Sequence, residues 1–170
     1  NNFENYNKIL EVVPQKEEQI VIKQFDMNCQ LINSVKQFCE DPLNSHSNKY
    51  IVSLSGGVDS MVLITILKIL NYKVVACHIN YNNREETNAE QAFLEYWCHS
   101  NAIKLYVKTI TNIKRANTKR SDYEYMSKKI RFDFYKEVLV KENSDFILLA
   151  HHKDDIIENI FANVCRGRYI

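Results

Sequence analysis

The chain has 170 residues, 45% of them hydrophobic, and a net charge of +1. That suffices for the buried core of one ordinary domain, and no uninterrupted apolar run reaches the ~18 residues of a membrane span, so a soluble, globular protein with no membrane partner is expected. The polar start Asn1-Asn2-Phe3-Glu4 resembles no signal peptide. The five cysteines, Cys29, Cys39, Cys77, Cys98 and Cys165, are scattered and form no Cys-x-x-Cys, which speaks for reduced thiols in the cytoplasm and against a zinc site or a disulfide framework.

Residues 1–48 contain no glycine and two prolines, Pro14 and Pro42. Between the prolines, Ile20, Phe25, Leu31, Val35 and Phe38 recur at roughly helical intervals. They predict one long helix from Gln15 to Cys39, in an N-terminal helical extension (1–48) leaning on a main domain (49–170). Pro42 and the polar run Asn44 to Asn48 then mark a turn.

Ile51, Val52 and Leu54 read as an apolar strand, Ser55-Gly56-Gly57 as a turn, and Val58 onward as an apolar-rich helix continuing to Leu70. Such a junction is a phosphate cradle. The helix start offers unpaired backbone N–H groups and the positive end of its dipole, while adjacent glycines let an anion reach the backbone. Two of the three glycines of the chain sit here, flanked by the hydroxyls of Ser55 and Ser60. Neither Gly-x-x-x-x-Gly-Lys-Ser/Thr nor Gly-x-Gly-x-x-Gly is present, so neither a Walker-type NTPase nor a dinucleotide-binding turn is indicated.

Further along, Lys73–Ile79 reads as a strand and Thr87–His99 as a helix with Ala89, Ala92, Phe93, Tyr96 and Trp97 inward. Ile103–Val107 is a strand and Asp122–Lys141 a helix, opened by a Ser121/Glu124 capping box and carrying the apolar stripe Tyr123, Met126, Ile130, Phe134 and Val138. Phe146–Ala150 is a strand, and Asp154–Cys165 a last helix. This alternation predicts an α/β fold, a doubly wound open parallel sheet with helices on both faces and its ligand beyond the C-terminal strand ends.

The chemistry-bearing residues gather at those ends. His78 closes one strand; His151-His152-Lys153-Asp154-Asp155 follows another and leads into Glu158 and Arg166-Gly167. On a helix, Asp155 and Glu158, three apart, and Asp154 and Glu158, four apart, would come to neighbouring positions able to hold Mg²⁺ together with phosphate oxygens, although acids also simply offset a helix dipole. Glu124, Lys128 and Arg131 form a second stripe at i, i+4 and i+7. Residues 104–131 carry nine Lys/Arg and two acids, +7, so the rest of the chain sums to −6. Lys114, Arg115, Lys119, Arg120 and Lys128 are therefore candidate contacts to nucleic-acid phosphates, the bland reading being a solvated surface.

Ser55-Gly56-Gly57-Val58-Asp59-Ser60 resembles the SGGxDS loop of the N-type ATP pyrophosphatases (PP-loop superfamily). With His78 and the HHxDDxxE segment before Arg166-Gly167, the chain is similar to the tRNA(Ile)-lysidine synthetase family. That family's usual Gly-His-His-x-Asp-Asp-Gln-x-Glu-Thr is matched at His151, His152, Asp154, Asp155 and Glu158 and departed from at Ala150, Ile156 and Asn159. Its E-x-x-x-R-x-x-R-Y helix corresponds to Glu124, Lys128, Arg131 and Phe132, and its His-x-x-Arg segment reaches Arg84 only with inserted residues. The resemblance covers roughly 49–167 and stops where such proteins usually continue, implying a sheet truncated at its C-terminal end.

What the resemblance implies is an ATP-dependent tRNA modification: adenylation of the C2 carbonyl of a cytidine with release of pyrophosphate, then attack by L-lysine with release of AMP, a carbon–nitrogen ligase reaction. Ser55 to Ser60 and His78 would bind ATP, and Asp59, Asp155 and Glu158 would hold Mg²⁺. Asp59, Arg131, His151, His152 and Asp155 would be catalytic, and Arg84, Lys114, Arg115, Lys119, Arg120, Glu124, Lys128 and Arg166 would bind the RNA. A tRNA 2-thiolation enzyme of the same superfamily is the first rival, but it would place a Cys-x-x-Cys between the third and fourth of these strands, and residues 109–145 contain no cysteine. A small-molecule ligase of the GMP or NAD synthetase kind leaves HHxDDxxE unexplained. A non-catalytic ATP- or RNA-binding remnant is the third rival.

Overall fold

A computed structural model describes residues 10–12, 26–42, 49–111, 113 and 117–151. The elements run β1 (Leu10–Val12), α1 (Gln30–Glu40), β2 (Lys49–Ser53), α2 (Val58–Ile69), β3 (Lys73–Asn80), α3 (Glu86–Ser100), β4 (Lys104–Thr109), α4 (Arg120–Glu142) and β5 (Ile147–Leu149). The sheet order is β1-β4-β3-β2-β5. β4, β3, β2 and β5 are mutually parallel, and β1 joins antiparallel at the β4 edge, Leu10 opposite Val107 and Val12 opposite Leu105.

This topology explains the helices on both faces. From β2 the chain steps through α2 to β3 and through α3 to β4, always in one direction, so right-handed crossovers put both helices on one face. It then returns through α4 to β5 on the far side of β2, and reversing direction puts α4 on the other face. Strand alternation divides the core accordingly. Tyr50, Val52 and Leu54 of β2 and its exit, Val74 and Ala76 of β3, and Leu105 and Val107 of β4 pack with Ile64, Leu67, Leu94 and Cys98 of the helices. Ile51, Val75, Cys77 and Tyr106 point the opposite way onto Phe134, Tyr135 and Val138 of α4. Strand order reverses at the β2–β5 pair, where doubly wound sheets open a crevice at their C-terminal ends.

Several expectations change. The long Gln15–Cys39 helix does not form as drawn, because Met27 and Asn28 lie in a turn and Asp26 and Cys29 are irregular, so α1 starts only at Gln30. Asp26 Oδ1 accepts the Asn28 N–H at 2.9 Å, a local bond that competes with helix formation. On α3 the inward face is Thr87, Leu94 and Cys98, with Trp97 half-buried, whereas Phe93 and Tyr96 are 54% and 73% exposed. The Ser121/Glu124 capping box is absent. The helix begins at Arg120, so Ser121 is already inside it, bonding Asp122, while Glu124 pairs with Arg120 at 2.8 Å. On the α4 stripe Met126 is exposed, and Tyr135 takes a core position instead.

Three helices stop by the same device without any glycine. Tyr72 N–H to Leu67 O (3.0 Å), Ile103 N–H to Cys98 O (2.9 Å) and Ser144 N–H to Leu139 O (3.0 Å) close Schellman motifs around Asn71, Ala102 and Asn143, all at positive φ. Asparagine tolerates that conformation; alanine at φ 51° does not. Ala102→Gly relieves about 1–2 kcal/mol of strain and loses roughly 0.5–1 kcal/mol to backbone entropy. A net gain of about 0.5–1 kcal/mol is expected, read as a thermal midpoint raised by about 2–3 °C; a lowered midpoint would contradict it.

Candidate functional site

A cleft of about 490 Å³ opens at the C-terminal ends of β2, β3 and β5. Its size is that of a small-ligand pocket. One wall is Ser53, Leu54, Ser55 and Ser60; a second is the end of β3 and the following loop, from His78 to Arg84; the third is Arg131, Phe132 and Tyr135 of α4 with Ala150 and His151 beyond β5.

The first wall is the expected strand–turn–helix. Leu54 N–H still bonds Cys77 O at 2.8 Å, after which the chain leaves the sheet. Gly56 adopts φ 86°, a conformation open to glycine and strained for other residues, and Gly57 is the N-cap of α2. The serines lock the turn. Ser60 Oγ donates to Gly57 O at 2.9 Å, so in the 3.1 Å contact between the two hydroxyls Ser55 is the donor. Ser55 Oγ in turn accepts the Gly57 N–H at 3.2 Å. The first intrahelical bond is Met61 N–H to Gly57 O, so the N–H groups of the first turn precede the hydrogen-bonded ladder. Gly56, Gly57, Val58 and Asp59 form the exposed crest, with Asp59 in the first turn of α2.

His78 is buried and bonds Leu54 O through Nδ1 at 2.8 Å. A carbonyl only accepts, so Nδ1 carries the proton. Burial pushes the imidazole pKa below its ordinary value, against the Leu54 bond and the charges of Glu90 and Glu95, which raise it. The ring is therefore neutral at physiological pH, with Nε2 an acceptor.

On the third wall Tyr135 Oη and Ser53 Oγ are 2.6 Å apart, tying α4 to the end of β2. Arg131, one turn earlier, is half-buried with its guanidinium 5.6 Å from the centre of the Phe132 ring. His151 is exposed at the rim. Arg84 lies on the second wall, 2.6 Å from Glu90.

The fold thus brings Ser55, Ser60, His78, Arg84, Arg131 and His151 to one cleft, while Gly56, Gly57, Val58 and Asp59 are exposed on the loop crest and are not among its lining residues. It does not bring Glu124, Lys128, Lys119 or Arg120 there. All four are exposed, and Arg120 stands eleven residues before Arg131 on α4, roughly 16 Å along the axis. His152, Asp154, Asp155, Glu158, Arg166, Lys114 and Arg115 lie outside the described residues. Ser53, Asn80, Tyr81 and Tyr135 also line the cleft, although none of them was among the expected site residues. Asn80 was detectable as a polar residue in register with Val74 and Ala76, and Tyr135 as the residue one turn after Arg131.

Among the described residues no three His, Cys, Asp or Glu form a metal-sized cluster. No described helix is long and apolar enough to cross a membrane. Cys39, Cys77 and Cys98 are buried and Cys29 exposed, all as free thiols. Burial raises Cys77 further above its ordinary range and pushes Cys98 up to about 12.

The tRNA(Ile)-lysidine synthase of Mycoplasmopsis pulmonis is 39% identical over 108 residues, 64% of this chain and 36% of that protein. The enzyme of the same name from Mesoplasma florum is 36% identical over 122 residues, 71% of this chain and 30% of that protein. That from Bacteroides thetaiotaomicron is 31% identical over 121 residues, covering 71% and 28%. The chain spans about a third of the length of the curated relatives it matches. Among solved structures, the U34-tRNA thiolase NcsA from Methanococcus maripaludis with its [4Fe-4S] cluster aligns over 80% of this chain and 49% of its own, at a TM-score of 0.63 and 19% identity, and so shares the fold. The family described as "PP-loop domain" matches residues 27–170, a span that takes in every described element except β1. The chain therefore belongs to the PP-loop domain family.

Proposed function

We propose that this domain uses ATP to activate a tRNA base and hands the activated base to lysine. The observation that carries the reading is the pairing, across one cleft, of Ser55 and Ser60, the two ends of the phosphate loop, with Arg131 and His151, in a chain 39% identical to a lysidine synthase over 108 residues. ATP lies with its β- and γ-phosphates on the loop crest at Gly56 and Gly57, where the α2 N-terminus favours negative charge. His78 Nε2 accepts from the ribose or the adenine amine. The C2 carbonyl oxygen of a cytidine attacks the α-phosphorus, a phosphorus–oxygen bond forms, and pyrophosphate leaves onto the loop. The lysine ε-amine then adds at C2, loses a proton, and AMP departs. Arg131 stabilises the charge that develops between loop and base, and His151 or His152 orients the base; placement and electrostatics of this kind supply most of such a rate enhancement.

Mg²⁺ typically takes one or two carboxylates plus phosphate oxygens. Asp59 on the crest suits that donor set, with Asp155 and Glu158 as further proposed ligands; bound there, the ion would neutralise phosphate charge. Asp59→Ala is expected to weaken binding of Mg·ATP by about tenfold or more and of metal-free ATP by less than about twofold, a difference of about 1 kcal/mol or more. Equal weakening in calorimetric titrations with and without Mg²⁺ would remove Asp59 from the metal site. The RNA is held through Lys119, Lys128 and the basic stretch that ends at Arg131, and a cytoplasmic location accords with a tRNA substrate.

The solved thiolase neighbour raises a second reading, tRNA thiolation. Cluster and sulfur-carrying cysteines work as thiolates, and burial holds Cys77 and Cys98 protonated, which favours the lysidine reading. The two part in an AMP-release assay. Release that requires both tRNA and lysine supports the proposal, and release that requires tRNA and sulfide but not lysine sinks it.

A further inference from the structure

The C-terminal end of β3 joins two walls of the cleft. Val74, Ala76, His78 and Asn80 alternate onto the face covered by α2 and α3; the first two are apolar, while His78 and Asn80 are polar yet only 4% and 2% exposed. His78 secures the exit of β2 through Leu54 O. Asn80 secures the other side. Its Oδ1 accepts the Asn82 N–H at 2.8 Å, and its Nδ2 faces Gln91 Oε1 at 2.8 Å, Asn88 Oδ1 at 3.2 Å and Thr87 O at 3.5 Å. Its own carbonyl accepts the Ile110 N–H at 2.8 Å.

A buried carboxamide is costly unless its polar atoms are used, and an apolar residue here would simply have extended the core. Instead this amide spans residues 81–85. It holds their start, where Asn82 turns at φ 46°, against the first two turns of α3. In that conformation of the loop Tyr81, Asn83 and Arg84 line the cleft wall.

We propose that Asn80 is a positioning residue for nucleotide binding, one that sets the Tyr81–Arg84 wall and through it the affinity for ATP. This rests on the nucleotide reading above. Asn80→Asp keeps the shape and the acceptor for Asn82 but sets a negative charge against three acceptors. In the whole chain it is expected to raise the Kd for Mg·ATP at least tenfold and to speed amide exchange at residues 81–87. Adding Gln91→Lys supplies a cationic donor to the new carboxylate and should bring the Kd back to within about threefold of the parent. Val138→Ala, in the α4 core away from the cleft, controls for destabilisation alone: it should lower the thermal midpoint and leave the Kd within twofold. Faster exchange at 81–87 with an unchanged Kd would overturn the proposal, as would an equal rise in Kd for Val138→Ala. A parent chain that binds no ATP would remove the nucleotide reading and the proposal with it, a result told apart because the exchange difference at 81–87 needs no ligand.

Discussion

Replacing Arg131 by alanine is expected to lower tRNA-dependent AMP formation by about 10²–10³-fold, the usual cost of removing a preorganised charge from a site where negative charge develops. The magnitude follows from its position. Arg131 is half-buried on the α4 wall, opposite the phosphate loop, with its guanidinium against Phe132 and one turn from the Tyr135–Ser53 contact that anchors the helix. A rigid support of this kind makes a guanidinium effective. Arg131→Lys keeps the charge and loses the planar fork, so it should recover only part of the rate. The side chain is not in the core, and both variants should keep the parent's thermal midpoint within about 2 °C. A loss of rate matched by an equal loss of folded protein would show that Arg131 supports the fold and not the reaction.

The second large effect lies at the opposite end of the sheet and changes stability alone. Glu142, at the end of α4, receives Lys49 Nζ at 2.9 Å, Tyr106 Oη at 2.7 Å and Lys104 Nζ at 3.0 Å, and Lys104 reaches on to Glu11 of β1 at 2.7 Å. The Lys49 ammonium also bonds the Glu142 carbonyl. One carboxylate thus ties together the starts of β2 and β4, the end of α4 and, through Lys104, the antiparallel edge strand. Burial alone would raise its pKa, but the bonds from Lys49, Tyr106 and Lys104 outweigh it and hold the group at about 2 against an ordinary 4.5. The folded state therefore binds this proton less tightly than the unfolded chain does. Its contribution is complete above about pH 5 and disappears as the pH falls through 4.5 toward 2. The difference corresponds to about 3 kcal/mol, and the partly exposed lysines reduce the expected cost of Glu142→Gln to about 2–3 kcal/mol at pH 7. Thermal unfolding should show a midpoint lowered by about 5–10 °C at pH 7, with the gap to the parent closing toward pH 2. A gap independent of pH would mean that packing, not charge, makes the contribution.

Much of this architecture was legible in the residues because each step relied on local pattern. The apolar runs at Ile51–Leu54, Lys73–Ile79, Ile103–Val107 and Phe146–Ala150 are the four parallel strands, displaced by one or two residues at their ends. Ser55–Ser60 had its turn and helix start written in two glycines and two hydroxyls. What failed was tertiary in origin. β1 is three residues long and exists through its pairing with β4, so no periodicity announced it. On α3, Phe93 and Tyr96 invited an inward reading because they are aromatic, yet the sheet takes up only the stripe through Thr87, Leu94 and Cys98. Of the helical trio Glu124, Lys128 and Arg131, only Arg131 reaches the cleft, since spacing gives a shared face but not how far along the helix the ligand lies.

In the proposed reaction the cleft activates a tRNA cytidine for attack by lysine. Nucleoside mass spectrometry tests it most directly: tRNA is incubated with the chain, ATP and Mg²⁺, in parallel with lysine and with sulfide, then digested and analysed. Lysidine replacing cytidine in the lysine reaction alone is the predicted result. Thiocytidine in the sulfide reaction, or tRNA unchanged in both while the chain binds ATP, would contradict it.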